Sequence, residues 1–348
     1  MEKHQEKPAA AGIKCVVWDL DNTLWNGTLL EDDHVTPHPH ITDAIKELDA
    51  RGILHSIASR NDPATAMAQL ERLGLAEYFL HPRIGWGTKS AAVAEIGQAL
   101  NISLDTVAFV DDQPFEREEV AFRHPQVRCL DPGEVHDAVT RWAEFQPRFI
   151  TDESRRRRHL YRSSIEREQA EQDADAVGDD FLATLGMVFS ITRAGEEDLR
   201  RAEELTVRTN QLNSTGHTYS YDELKELLRS PHHLLLVAEL SDRFGTYGKI
   251  GLALVETRAE VWTLRLLLMS CRVMSRGVGT VLLHHVMGLA RDGGVRLQAE
   301  FTDTGRNRMM YITYRLAGFT EVPHATDLLE TDLRLIPPPP QHLTLNIP

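Results

Sequence analysis

The stretch Asp19-Leu-Asp21-Asn22-Thr23 constrains this chain more than any other. It follows the apolar run Cys15-Val-Val-Trp18, which reads as a buried strand. Two carboxylates two residues apart at the C-terminal end of a strand stand where open parallel sheets bind ligands. Asp19 suits a nucleophile and hard-metal ligand. Asp21 suits a general acid–base whose main-chain carbonyl completes a metal shell.

Three partners follow in order. Ser59 ends a second apolar strand, Ile53 to Ala58, and offers a small hydroxyl to a phosphoryl oxygen. Lys89 opens a helical pattern running to Leu100 and can neutralise both a carboxylate and a phosphoryl group. Asp111 and Asp112 end a third apolar strand, Val107 to Val110, where they can hold Mg²⁺ together with Asp19. Asp112 reads either as orienting Lys89 or as binding a metal-held water. Asp62, before Pro63 and a helix, reads as a cap.

Between Thr23 and Ser59 there is room for a short flap, Trp25 to Asp33, and one helix, Thr42 to Arg51. Between Ser59 and Lys89 there is one helix-strand unit. Neither gap holds a cap domain, and an open site suits a macromolecular substrate.

The ordered set Asp19, Asp21, Ser59, Lys89, Asp111-Asp112 resembles the haloacid-dehalogenase (HAD) superfamily of phosphotransferases over residues 1 to 145. The resemblance implies that Asp19 attacks phosphorus and that Asp21 protonates the leaving oxygen and then activates water. Ser59, Lys89 and Asp112 complete the catalytic set. Mg²⁺ is held by Asp19, Asp21 and Asp111, and Thr23, Arg60 and Asn61 fall to substrate binding.

A chain of 348 residues favours two domains. No apolar run is long enough to span a membrane, and Met1 to Gly12 lacks the apolar stretch of a signal peptide. The cysteines Cys15, Cys129 and Cys271 are too far apart for a zinc or disulfide framework, so a reducing cytoplasm is expected. A net charge of −14 argues against nucleic-acid binding. The expected divisions are 1–150, a charged helical linker 151–185, a second α/β domain 186–336 and a Pro-rich tail 337–348. Arg155 to Arg158 read either as a solvated helix face or as a patch for an acidic partner.

From Met187 onward strands and helices alternate again. A long strand, Val261 to Met269, meets Ser270-Cys271-Arg272, then Gly277 and Gly279 open a helix, Val281 to Ala290. That arrangement reads as an anion or thioester-arm site. Asn307, Tyr314 and Gly318-Phe319 resemble the closing motif of the GNAT acetyltransferases over residues 187 to 335. The pyrophosphate-loop position that usually carries Gln or Arg is Met274, which suits a phosphopantetheine arm better than coenzyme A.

A capless HAD-type parallel sheet domain followed by a GNAT-like α/β domain resembles the FkbH-like family. Val17 to Trp25, Phe109 to Arg117, Arg208 to Asn213, Ser270 to Val273 and Arg306 to Tyr311 carry that likeness. The resemblance implies transfer of a glyceryl unit from 1,3-bisphosphoglycerate to a holo acyl carrier protein, with loss of phosphate, for polyketide biosynthesis. Cys271 reads either as the acyl-carrying thiol, activated by Arg272 and a helix N-terminus, or as a packed strand cysteine. Arg208, Asn210 and Asn213 read either as ligands to phosphate and glyceryl hydroxyls or as helix-capping and loop residues. The alternatives are a stand-alone phosphatase of a small phosphate ester, or an N-acetyltransferase on a HAD scaffold.

Overall fold

The computed structural model describes residues 12–32, 34–173 and 179–348. The expected polar N-terminus up to residue 11, the end of the flap at residue 33 and linker residues 174–178 lie outside the described residues. The chain divides into two compact units, Met1–Arg162 and Ser163–Pro348.

The first unit is an all-parallel sheet of β1 (Cys15–Trp18), β2 (Leu54–Ser59), β3 (Arg83–Ile84), β4 (Val107–Val110) and β5 (Arg128–Leu130). Their order is β3-β2-β1-β4-β5. Every residue of β1, β2 and β4 is buried, as expected of strands covered on both faces. The register aligns Trp18 with Ile57 on one side and Val110 on the other, so β1 and β4 end level and β2 runs two residues further, to Ser59. The strand order reverses between β1 and β4, which makes their C-terminal ends the switch point where such sheets bind ligands.

Proline sets the helix starts around those ends. α1 (Pro39–Ala50), α2 (Pro63–Arg72) and α4 (Pro114–Arg123) each carry Pro in the first turn, where its missing N–H costs nothing. α1 thus begins earlier than the expected Thr42. Between them α3 (Lys89–Ala99) is capped by the Thr88 side chain. α5 (Val135–Arg141) completes the unit's helices named here. No domain interrupts the described residues between Thr23 and Ser59 or between Ser59 and Lys89. They hold the short ribbon Trp25–Asn26 with Thr36–Pro37, α1, α2 and β3.

The expected solvated arginine run is corrected at two positions. In α6 (Arg157–Asp173), Arg157 and Arg158 are buried. Arg158 pairs with Asp49 at 3.1 Å and Glu77 at 2.9 Å and stacks 4.6 Å over Tyr78. Arg155 and Arg156 remain exposed. Further along, Arg167 is buried in the second unit, bidentate to Asp242 at 2.7 and 2.8 Å. A polar sequence hid both contacts because each arginine meets its acid far away in the chain.

The second unit follows with β6 (Met187–Arg193), α7 (Leu199–Arg208), α8 (Tyr221–Arg229), β7 (His233–Asp242), β8 (Gly245–Thr257) and β9 (Val261–Met269). Then come α9 (Val278–Asp292), β10 (Arg296–Glu300), α10 (Arg308–Leu316), β11 (Thr320–Glu321), β12 (Leu328–Thr331) and β13 (Leu343–Asn346). The sheet order is β11-β12-β10-β9-β8-β7-β6-β13. β9 and β10 are parallel but pair only from Val261 to Leu264, so β9 runs on without β10. The Pro-rich tail ends in β13, which pairs parallel with β6 from Leu343 to Asn346. α8 carries a full capping box between Ser220 and Glu223.

Candidate active site

Asp19 lies one residue beyond β1, with its backbone N–H bonded to the Val110 carbonyl at 2.9 Å. Its side chain is buried. The Lys89 ammonium, on the first turn of α3, reaches Asp19 Oδ1 at 2.8 Å and Asp111 Oδ2 at 2.5 Å. Burial raises the Asp19 pKa to about 6; Asp111 adds to that, while Lys89 opposes it. Burial works against the charge on Lys89, but Asp19 and Asp111 outweigh it and hold its pKa above the ordinary value.

One oxygen from each of Asp19, Asp111 and Asp112 falls within 4.8 Å of the others. Burial, then the neighbouring Asp111, raises the Asp112 pKa. Three carboxylates facing one ammonium leave an excess of negative charge in a desolvated place. Hard oxygen donors in that state fit a hard divalent cation.

Of the two roles expected of Asp112, the geometry favours the one at the cation cluster. Lys89 is oriented by Asp111, which also accepts from the Gln113 N–H at 2.9 Å. Asp112 instead joins the cluster. Asp111 therefore serves both the lysine and the cation donor set.

Asp21 has a built seat. Its Oδ1 accepts from Trp25 Nε1 at 2.8 Å and the Leu29 N–H at 3.1 Å, and its Oδ2 from Asn61 Nδ2 at 3.0 Å. The turn that permits this places Asn22 at φ 58°, a conformation asparagine tolerates well. Asn61, expected at the substrate, is wholly buried and positions Asp21. Thr23 is likewise buried, accepting from the Asp112 N–H at 3.0 Å and so tying the β1 and β4 loops together. Neither residue was recognisable as a brace from sequence, because its partner lies 40 or more positions away.

Ser59 is buried beside Asp19. Its hydroxyl helps the Asp19 carboxylate ionise yet has no hydrogen-bond partner at full geometry. With Lys89 it lines a cavity of about 180 Å³ whose walls include Arg83, Gly85, Gly87 and Thr88. Arg60 follows Ser59 at the surface and pairs with Glu116 at 3.0 Å.

In the second unit the expected ligands have mostly become framework. Asn213 accepts from the N–H groups of Thr215 and Gly216 and donates to the His217 carbonyl, holding its own loop. Asn307 donates to the carbonyls of Asn213 at 2.9 Å and Thr302 at 2.9 Å and accepts from the Thr304 N–H. Both are completely buried. The loop they fix lies along the end of β9, where Ser214 N–H bonds Leu267 O and Met269 N–H bonds Leu212 O. The edge that β9 shows beyond β10 is thus taken by residues 212 to 214.

Tyr314 is buried in the core, packed on Phe319 with centroids 5.3 Å apart, and burial pushes its hydroxyl pKa up. An acid facing a substrate is not what this tyrosine is. Arg208 ends α7 and Asn210 follows it; both are half-buried.

Gly277 (φ 70°) and Gly279 do line a cavity, of about 80 Å³, with Leu212, Leu267, Met269 and Met309. A Cβ on Gly279 would meet Met269 Cγ at 3.2 Å, so glycine lets α9 close on β9. The cavity is apolar and well below the roughly 300–1,000 Å³ of a cofactor-sized pocket.

Cys271 and Arg272 are half-buried and open a 3-10 turn, Cys271–Arg276, kinked at Val273. α9 begins only at Val278. The 3-10 turn and Gly277 separate Cys271 from the first residue of that helix. None of the cysteines forms a disulfide. Burial raises the thiol pKa of Cys15, and that of Cys129 to about 11, in keeping with packing roles.

No family model and no curated protein matches the chain in sequence. Solved structures do resemble parts of it. The N-terminal part of a Bacteroides fragilis protein, containing a phosphatase domain and complexed with Mg, is 28% identical with a TM-score of 0.36. It covers 39% of this chain, which spans 41% of that structure. The cobalt-bound deoxy-D-mannose-octulosonate 8-phosphate phosphatase from Haemophilus influenzae is 22% identical (32% of this chain, 65% of that one, TM-score 0.28). The ribosomal-protein-S18-alanine N-acetyltransferase from Escherichia coli is 17% identical (41% and 88%, TM-score 0.32). Strand order and direction carry the α/β fold class, an all-parallel sheet unit followed by a mixed sheet unit. No described helix is long and apolar enough to cross a membrane.

Proposed function

We propose that the first unit is a Mg²⁺-dependent phosphatase that removes the ester phosphate of a three-carbon acyl unit. In the fuller reading, that unit is a glyceryl group taken from 1,3-bisphosphoglycerate and loaded on the phosphopantetheine thiol of an acyl carrier protein. The observation that carries the phosphatase reading is the buried pair Asp19 and Asp111, bridged by Lys89, with the half-buried Asp112 converging on them. The motif resemblance to the FkbH-like family supports the glyceryl reading.

The roles follow from position. Asp19 Oδ attacks phosphorus, the ester P–O bond breaks, and an aspartyl-phosphate forms. Asp21, held by Trp25, Leu29 and Asn61, gives its proton to the leaving alkoxide and later takes one from the attacking water. That water breaks the Asp19–phosphorus bond and frees inorganic phosphate. Lys89 balances charge on Asp19 throughout, and the Ser59 hydroxyl, beside Asp19 and only weakly engaged, can turn to a phosphoryl oxygen. Asp19, Asp111 and Asp112, with the Asp21 carbonyl that the motif resemblance adds, would hold Mg²⁺, which would supply Lewis-acid charge neutralisation when bound. The cavity of about 180 Å³ beside Ser59 suits a small leaving group.

An acyl phosphate is already activated, so a thiol can displace it without this centre. The carboxylate site is needed for the remaining C3 ester, whose alkoxide leaves poorly. The test is intact-mass analysis after incubation with Mg²⁺, 1,3-bisphosphoglycerate and holo carrier protein. A glyceryl adduct on the carrier, replaced by a phosphoglyceryl adduct with Asp19→Asn, is the expected result. Repeating it with Cys271→Ala locates the thiol. Phosphate release without any carrier adduct would leave a stand-alone phosphatase.

A further inference from the structure

Two arginine–carboxylate pairs in this chain are built in opposite ways. Arg167 and Asp242 are both sealed from solvent (1% and 0% exposed), bidentate, with a third bond to the Gly245 carbonyl and a 3.9 Å stack on Tyr247. The Arg167 NH1 has no hydrogen-bond partner, but both partners are sealed from solvent, so the pair serves the fold. In the pair of Arg60 and Glu116, the carboxylate is buried (3% exposed) and the guanidinium is 43% exposed. A single 3.0 Å contact joins NH1 to Oε1, and the buried Oε2 has no hydrogen-bond partner. Burying a carboxylate with half its capacity unused is costly and a poor way to stabilise a fold.

The pair's place gives it a use. Arg60 directly follows β2, and Glu116 lies in the first turn of α4, after β4. These strands flank β1, about 10 Å apart across it. The ion pair therefore reaches across the end of β1, where Asp19 stands. Unrestrained, a guanidinium there would fall onto the aspartates of the cluster. Glu116 holds one of its nitrogens while the side chain stays partly exposed.

Resting on the phosphatase reading above, we infer that Arg60, positioned by Glu116, binds a second anionic group at the non-reacting end of the phosphate ester. A carboxylate or a second phosphate offers the oxygen pair that guanidinium recognises. Among free phosphate esters the first unit thereby selects those anionic at both ends, whereas a phosphoglyceryl thioester, uncharged at its acyl end, gains nothing from Arg60.

The test uses the full chain carrying Asp19→Asn, with Mg²⁺, and calorimetric binding of 3-phosphoglycerate, 1,3-bisphosphoglycerate and glycerol 3-phosphate. Tighter binding of the two anionic-ended esters by about 10- to 100-fold is expected. Arg60→Gln should erase that preference. The relative response of the two anionic esters tells a carboxylate reader from a phosphate reader. With Asp19 restored, Glu116→Gln should raise the ratio of KM for 3-phosphoglycerate to that for glycerol 3-phosphate, with kcat falling less than KM rises. Equal affinities before mutation, or a preference that survives Arg60→Gln, overturns the inference. Absence of turnover with every ester would instead sink the phosphatase reading, while the binding comparison still decides the role of Arg60.

Discussion

The two units treat their motif polar residues differently. In the first, Asp19, Asp111 and Asp112 converge with more negative charge than Lys89 offsets, and the Ser59 hydroxyl is buried without a full partner. In the second, Asn213 and Asn307 are buried with their amides consumed by backbone groups; the Tyr314 hydroxyl is buried without a full partner, but no excess of charge surrounds it. A motif that satisfies itself builds a fold, whereas one left unsatisfied is prepared to act on something else. Among the described residues, a cluster of carboxylates outnumbering its cation stands at the end of β1.

The largest expected effect breaks the first side of the contrast. Asp19→Asn should lower phosphate release by on the order of 10³-fold or more, since it removes the nucleophile itself. Steady-state phosphate assay checks this. Activity within tenfold of wild type would place the nucleophile elsewhere.

Next comes Lys89→Met. Removing the one cation between two buried carboxylates should destabilise the metal-free protein by about 3–5 kcal/mol. Denaturant unfolding with and without Mg²⁺ reads it, and Mg²⁺ should recover part of the loss. If Mg²⁺ changes nothing, the carboxylates are not a cation site.

The second side is tested by Asn307→Ala, which strands buried carbonyls at the loop beside β9. A loss of about 2–3 kcal/mol is expected, with phosphate release persisting below the unfolding transition. Selective loss of phosphate release from a stably folded variant would return Asn307 to the reaction.

The smallest effect is a pH dependence. Asp19 binds its proton more tightly folded, with a pKa of about 6, than unfolded. Its share of metal-free stability is present below about pH 4 and disappears as pH rises through about 6. Mg²⁺ binding runs the other way, strengthening up to about tenfold per pH unit until Asp19 is ionised. Calorimetric affinities at pH 5 to 8 should show the step, and Asp19→Asn should remove it.

The same contrast explains what was legible in the sequence. The strands of the first unit announce themselves as unbroken apolar runs ending in acids, so both their burial and their chemical ends could be read. Asn61 and Thr23 carry the same local signature as ligands. Only the fold, which brings Asp21 and Asp112 to them, turns them into braces. In the second unit Asn307 kept its expected place but not its expected role, because its partners are main-chain carbonyls that no motif records. α8 had a visible capping signal, Ser220 followed by Glu223, that went unused. Arg158 and Arg167 looked solvated because their acids, Asp49 and Asp242, are remote in sequence. Glu116 offered no signal beyond being one acid in a charged helix.

The most direct measurement is acid-quenched peptide mass spectrometry of the full chain during turnover of 3-phosphoglycerate or 1,3-bisphosphoglycerate with Mg²⁺. The account predicts a phosphoryl group on Asp19, absent when Mg²⁺ is chelated and absent in Asp19→Asn. Phosphate release in which Asp19 is never phosphorylated, and which Asp19→Asn sustains, would contradict it.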